Sequence, residues 1–325
     1  NGYIKRTSLS TYRSQRRGGR GVQGASSRDE DFVEHLFVAN THSYILFFTD
    51  KGKCYWVKVY DIPEGGRAAK GRAIVNLIGC EPDEKVSAFI SVKEFNEDHF
   101  VVMATEKGIV KKTKLSAYSN PRKKGIYAVE IREGDRLIEA RVSTGDNDIL
   151  LGTRNGKSIR FSEEQIRPSG RKTMGVKGIT LSSEDDRLVG MLLIKREGTT
   201  VLVATEKGFG KRTEISQYRA QKRGGKGVLT MKTTEKVGKM VTIKEVVDKD
   251  DLMIITNQGV LIRQPVAQIR AIGRATQGVK LIKLGEGTLV SSITRIMTEE
   301  EGGEEKAQEE VNNENNNPKT EEATN

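Results

Sequence analysis

At 325 residues, with 35% hydrophobic and 30% charged positions, the chain has room for one large domain or two ordinary ones, yet its apolar content suits small stacked units better than one thick core. The net charge of +11 hides an asymmetry: ten Glu face two Lys after Met297, so residues 298–325 carry −8 and residues 1–297 carry +19. A body that basic attracts polyanions, and the lack of an apolar run of about 18 residues or a basic amphipathic helical pattern sets aside a membrane surface and leaves nucleic acid.

In chain order, an apolar, β-branched run followed by a polar turn with glycine recurs throughout. Gly2 opens the series without its first strand; then Tyr44–Thr49 precedes Gly52, Phe100–Thr105 precedes Gly108, 149–153 precedes Gly156, 201–205 precedes Gly208 and 252–256 precedes Gly259. Each site reads as a β-hairpin. Successive glycines stand 50, 56, 48, 52 and 51 residues apart, so the repeat is about fifty residues long. Ten residues beyond each hairpin glycine comes Tyr12, Ile62, Tyr118, Ile166, Tyr218 or Ile269, predicted to be a buried anchor. A second glycine (Gly21, Gly71, Gly125, Gly175, Gly227, Gly278) follows 19 residues after the first in five repeats and 17 after in the third.

Each unit closes with a further β-type run: Val86–Val92, 137–142, Leu188–Ile194, 240–247 and 289–296. About four short strands per unit make an antiparallel sheet that cannot bury both faces alone. Six such sheets are therefore expected to stack around an axis, as an all-β, propeller-like ring or spiral over residues 1–297. Residues 298–325, rich in Glu and Asn without apolar periodicity, are expected to form a disordered acidic tail.

The seven residues ending at each second glycine (15–21, 65–71, 119–125, 169–175, 221–227 and 272–278) hold 14 Lys or Arg and no Asp or Glu. Solvated loops mix both signs, so exclusion of acids at one equivalent place in all six units argues for an anionic ligand. The fourth residue after the hairpin glycine is basic in five units, as Arg6, Lys112, Arg160, Arg212 and Arg263, with Trp56 the exception, and is expected to extend the same basic face. Equivalent loops on a ring lie on one rim, which a straight duplex touches at only one or two blades. Bending 20 to 30 bp by 40 to 90° costs on the order of 1 to 6 kcal/mol, offset by phosphate neutralisation and counterion release, so wrapping is the expected mode. Arg, Lys and Gly suit phosphates; no recognition helix or basic-aromatic interleaving points to sequence readout or single strands.

The first loop, Gln15-Arg16-Arg17-Gly18-Gly19-Arg20-Gly21, resembles the heptapeptide box of the A subunit of bacterial DNA gyrase, with Arg in the sixth place where Lys is also familiar. Val38-Ala39-Asn40-Thr41-His42 and Val75-Asn76-Leu77 are similar to the same family, and the resemblance covers residues 1–297. It implies a six-bladed β-pinwheel whose blades exchange strands, with duplex DNA wrapped around the outer edge in a positive sense. It implies no catalytic site on this fragment, whose role is to present DNA for ATP-dependent strand passage and negative supercoiling; ATP and Mg would act on other domains. The implied partners are double-stranded DNA, an upstream breakage-reunion domain and the B subunit in an A2B2 assembly, the fragment itself being a monomer in the bacterial cytoplasm, associated with the nucleoid. The expected DNA contacts are Gln15, Arg16, Arg17, Gly18, Gly19, Arg20, Gly21, Arg67, Lys70, Arg72, Arg122, Lys123, Lys124, Arg171, Lys172, Lys177, Lys222, Arg223, Lys226 and Arg274. The alternatives are the related domain of topoisomerase IV, whose box is degenerate or missing, and a propeller-like module whose charge serves acidic protein partners.

Other motifs have simpler readings. Residues 19–24 spell a dinucleotide fingerprint but follow no buried strand, and residues 152–158 fall one residue short of a P-loop on a hairpin turn. Tyr12, Tyr118 and Tyr218 read as anchors and not as nucleophiles; Asp185, Asp186, Asp250 and Asp251 read as turn acids. His35, His42 and His99, and the distant Cys54 and Cys80, have no ligand spacing, and free cysteines fit a reduced cytoplasm. Asn1 in place of Met, with no signal-peptide pattern after it, reads as the start of a fragment.

Overall fold

Phe47 and Phe48 are neighbours on one strand and both are buried. Successive strand residues face opposite sides of a sheet, so each sheet must be covered on both, and this is why the apolar runs are continuous instead of alternating. The computed structural model describes residues 2–7, 39–66, 69–195, 198–258 and 261–296. Tyr12, the heptapeptide at 15–21, His35, Arg67 and the acidic tail lie outside the described residues.

The first unit contributes β1 (Tyr3–Ile4). The second holds β2 (Tyr44–Thr49), β3 (Lys53–Lys58), β4 (Arg72–Ala73), the five-residue helix α1 (Ile74–Ile78) and β5 (Val86–Val92). The third holds β6 (Phe100–Thr105), β7 (Ile109–Lys114), β8 (Ile126–Tyr127) and β9 (Leu137–Ser143). The fourth holds β10 (Asp148–Thr153), β11 (Lys157–Ser162), β12 (Val176–Lys177) and β13 (Leu188–Ile194). The fifth holds β14 (Thr200–Thr205), β15 (Phe209–Glu214), β16 (Val228–Leu229) and β17 (Met240–Val246). The sixth holds β18 (Asp251–Thr256), β19 (Leu261–Pro265), β20 (Val279–Lys280) and β21 (Val290–Ile296).

All pairings between these strands are antiparallel, and the sheets run β5-β2-β3-β8, β9-β6-β7-β12, β13-β10-β11-β16, β17-β14-β15-β20 and β21-β18-β19, with β1 paired to β4. The chain is an all-β propeller of four-stranded blades. A blade is not built from one unit, however: the fourth strand of each is two residues from the unit that follows. Among the described residues the last sheet has three strands, and the β1–β4 pair is the same exchange between the first two units. Where the sequence predicts six blades, the described residues form five sheets of three or four strands, since units one and two share only the β1–β4 pair and residues 8–38 are not described.

Cores lie between sheets. Phe47, with Ile45 and Tyr55, packs toward Ile4 and Ile74, whereas Phe48, with Leu46 and Cys54, packs toward Val101, Met103 and Tyr118 of the next blade. The other clusters bridge successive sheets in the same way. Full burial of each such side chain contributes about 1.5–3 kcal/mol. The anchors Ile62, Tyr118, Ile166, Tyr218 and Ile269 are all within 2% of full burial, as their spacing predicts.

Candidate nucleic-acid interface

The closing strands β5, β9, β13, β17 and β21 pack in series, each against the next. They form the inner edge of each blade, so the exchanged strands β8, β12, β16 and β20 mark the opposite, outer edge. Among the described residues, the chain runs from the loops at 119–125, 169–175, 221–227 and 272–278 straight into these exchanged strands, and from 65–71 into β4. The sequence folds this way because the second glycine is the only residue that fits. At Gly227, φ is +69°, and a Cβ would stand 2.3 Å from the Ser158 carbonyl oxygen on the preceding blade. The regular spacing between glycines is therefore the reach from one blade's hairpin to its neighbour's outer strand.

Four of the loops start from a fixed dock. The amides of Gly65, Ser169, Gln221 and Ile272 donate to the carbonyls of Arg6, Lys112, Arg160 and Arg212, at 2.8–3.0 Å. Beyond the dock the expected contacts Lys70, Arg72, Arg122, Lys123, Lys124, Lys172, Lys177, Lys222 and Lys226 are exposed, with no acid in any loop. Lys70 lies over the Tyr3 ring at 4.5 Å. Arg171, Arg223 and Arg274 are half-buried, and two of them also join blades. Arg223 donates to the carbonyls of Gln165 and Lys177 (2.9 and 3.1 Å), and Arg274 to that of Leu229 (2.8 Å).

The fourth residue after the hairpin glycine does not extend the basic face, contrary to its charge pattern. Its side chain reaches across to the next unit's anchor turn. Arg6 donates to the Ile62 carbonyl (2.8 Å), Arg160 to those of Ile215 and Tyr218 (3.3 and 3.2 Å), and Arg212 to that of Ile269 (2.6 Å). Lys112, buried, donates to the Glu163 carbonyl and to its carboxylate. Several of these cations also pair with a carboxylate, as Arg160 does with Asp148 at 2.6 Å. Trp56 is no exception in function, since its indole N–H donates to the Tyr118 carbonyl at 2.8 Å. Arg263, in the last described unit, is 59% exposed in its side chain and pairs with Asp251 at 2.5 Å.

Arg167, Arg219 and Arg270, each exposed and one residue past its anchor, were not among the expected contacts. Their signal is the equivalent position, which Arg13 also occupies in the first unit. Tyr118 and Tyr218 are buried, and burial pushes both phenols up, which removes them from nucleophilic chemistry at ordinary pH. Asp186 is a turn acid: it accepts from the amides of Asn155, Ser182 and Arg187 at 2.9–3.1 Å. Burial likewise raises the Cys54 thiol. Among the described residues no group of three or more His, Cys, Asp or Glu is placed to hold a metal ion, and no helix is long and apolar enough to cross a membrane.

The sequence matches the family described as DNA gyrase C-terminal domain, beta-propeller, in six segments: residues 1–40, 43–93, 99–144, 147–195, 199–246 and 250–296. Over 303 residues it is 49% identical to the DNA gyrase A subunit of Staphylococcus epidermidis and 48% to that of Staphylococcus aureus, in each case across 93% of this chain and 34% of the relative. The chain thus spans about a third of the length of these relatives. Among solved structures it is similar to the C-terminal domain of DNA topoisomerase IV, with a TM-score of 0.81, 25% identity and coverage of 96% of this chain and 95% of that one. It also shares its fold with the DNA gyrase A C-terminal domain, with a TM-score of 0.72, 23% identity and coverage of 91% and 97%.

Proposed function

The chain belongs to the DNA gyrase C-terminal domain family, and on that premise we propose that it binds duplex DNA along the outer edge of its blades and wraps it. One observation carries this reading: among the described residues, loops with cations and no acids stand at the outer edge of consecutive blades, four of them docked on the unit before. The track is curved, so a duplex that follows it is bent, and successive phosphate contacts with counterion release offset the bending. The exposed Arg167, Arg219 and Arg270 add cations beside the same loops. The loops hold mostly Arg, Lys and Gly, which suit phosphates, so binding is largely independent of sequence.

The six matched segments and the β1–β4 exchange support six repeated units, the first of which lies mostly outside the described residues. Within a whole enzyme the domain would present a wrapped segment to an upstream breakage-reunion domain in an A2B2 gyrase. ATP and Mg would act elsewhere in that assembly, located in the bacterial cytoplasm at the nucleoid. The topoisomerase IV reading draws on the structural likeness at TM-score 0.81. Gyrase is favoured by 49% identity to the A subunit of a gyrase, compared with 25% to the topoisomerase IV domain, and by the intact Gln15-Arg16-Arg17-Gly18-Gly19-Arg20-Gly21 box.

The test is binding to duplexes of increasing length at several salt concentrations. Affinity should rise until the duplex spans several blades, and fall by about 10³ or more between 50 and 200 mM salt if about six phosphates are neutralised. Affinity independent of both length and salt would reject DNA tracking and leave an acidic protein partner.

A further inference from the structure

The basic loops are not equal. Those at 119–125 and 221–227 each carry three cations, as does the heptapeptide at 15–21, whereas those at 65–71, 169–175 and 272–278 carry two, two and one. The poorer loops, and only those, follow a unit with lysine at the third residue after its hairpin glycine: Lys5, Lys111 and Lys211. The corresponding residues in the other units are Tyr55, Ile159 and Ile262.

Each of these lysines reaches into the loop of the next unit. Lys5 donates to the carbonyls of Gly66 and Ala69 at 2.9 and 2.8 Å. Lys111 donates to those of Ala128 and Arg171 at 2.7 and 2.5 Å. Lys211 donates to the carbonyls of Gly273, Arg274 and Thr276 and to the Thr276 hydroxyl. Lys111 and Lys211 are 1% and 0% exposed, lysines being among the residues least often buried. Each draws loop carbonyls inward, which leaves the loop's outer side to its amides and its remaining cations.

Resting on the DNA-tracking reading, we propose that Lys111 and Lys211 are positioning residues for DNA binding: buried cations, contributed by one unit, that shape the sparsely charged rim loop of the next for phosphate.

Burial pulls the Lys111 ammonium down to about 7, and the Arg171 guanidinium pushes it the same way; Glu130, after β8, opposes them. Burial and the Arg274 guanidinium bring Lys211 down to about 8. A phosphate on Arg171 or Arg274 offsets the repulsion that adds to the larger effect of burial on each lysine, so DNA binding takes up protons at these two loops. By linkage, affinity then falls as pH rises through the free-state values of about 7 and about 8.

The test follows the two ammonium groups by NMR in protein with ¹³C at lysine Cε, with signals assigned through Lys111→Arg and Lys211→Arg. Titration is done with and without a saturating duplex long enough to span the blades. The expected result is a rise of about one pH unit or more in both midpoints, a tenfold gain in proton affinity. Alongside it, Lys111→Met should weaken duplex binding and flatten its pH dependence, with Lys111→Arg restoring the affinity. Midpoints unmoved in protein that binds DNA, and loses affinity when Arg122, Lys123 and Lys124 become Ala, overturn the inference and leave DNA tracking intact. Wild-type protein that binds no duplex overturns both.

Discussion

The indole N–H of Trp56 donates to the main-chain carbonyl of Tyr118 at 2.8 Å, across the joint between two blades. In neighbouring units the same place holds an arginine or lysine gripping the next anchor turn, so one structural role is filled by chemically unlike donors.

Trp56→Phe keeps the aromatic packing and deletes the donor, leaving a carbonyl at a buried joint without this partner. The expected cost is about 1–3 kcal/mol of stability. Trp56→Arg should recover part of it, because arginine performs this role in three other units. Urea unfolding followed by circular dichroism checks both variants; a Phe variant as stable as wild type would show that the bond contributes nothing.

The exchanged strand depends on Gly227. Gly227→Ala places a Cβ 2.3 Å from the Ser158 carbonyl at a backbone φ of +69°. Strain at such φ values alone costs of order 1–3 kcal/mol, before the clash is relieved. Hydrogen exchange should report early opening of β16 from β11 while β10 and β13 stay protected. Uniform protection would mean that this strand does not hold the joint.

The buried lysines give stability a pH dependence of known sign. Lys111 and Lys211 sit at about 7 and about 8 when folded against an ordinary 10.5, so between those values the unfolded chain binds more protons. Their contribution to stability therefore rises with pH from about 7 toward 10.5 and is flat below it. Urea midpoints at about pH 7 and about pH 9 test this; Lys111→Met with Lys211→Met should reduce the rise. An unchanged pH response in that double variant would contradict it.

Arg122, Lys123 and Lys124 form the most exposed of the described loops, and all three side chains face solvent. Replacing them by Ala should spare folding and reduce the slope of log affinity against log salt by about 0.9 for each phosphate that is no longer neutralised. A weaker affinity with an unchanged slope would place these residues off the track.

Much of this is legible in the sequence, for stated reasons. Continuous runs such as Tyr44–Thr49 predict strands covered on both faces, and the strand boundaries agree within a residue. Anchors are visible because a large apolar side chain at a fixed offset has to be buried. The exchange of strands has a trace in the glycine spacing, but which blade receives the two-residue strand is a matter of tertiary contact. The roles of Arg160 and Arg212 cannot be read from charge alone: an arginine over a neighbouring carbonyl and one facing solvent look alike in sequence. Lys111 and Lys211 give no sign of burial, since nothing local distinguishes them from exposed lysines such as Lys123 or Lys222. The heptapeptide at 15–21 is part of the family likeness but lies outside the described residues.

An outer edge that carries a double helix around it on a handed path changes the topology of closed DNA. The decisive quantity is the linking number of relaxed circular DNA closed by a nicking-closing enzyme in the presence of this chain. Wrapping requires a shift that grows with bound protein, and that shrinks when Arg16, Arg17 and Arg20 are replaced together by Ala. Circles whose linking number stays unchanged at saturating protein would contradict it.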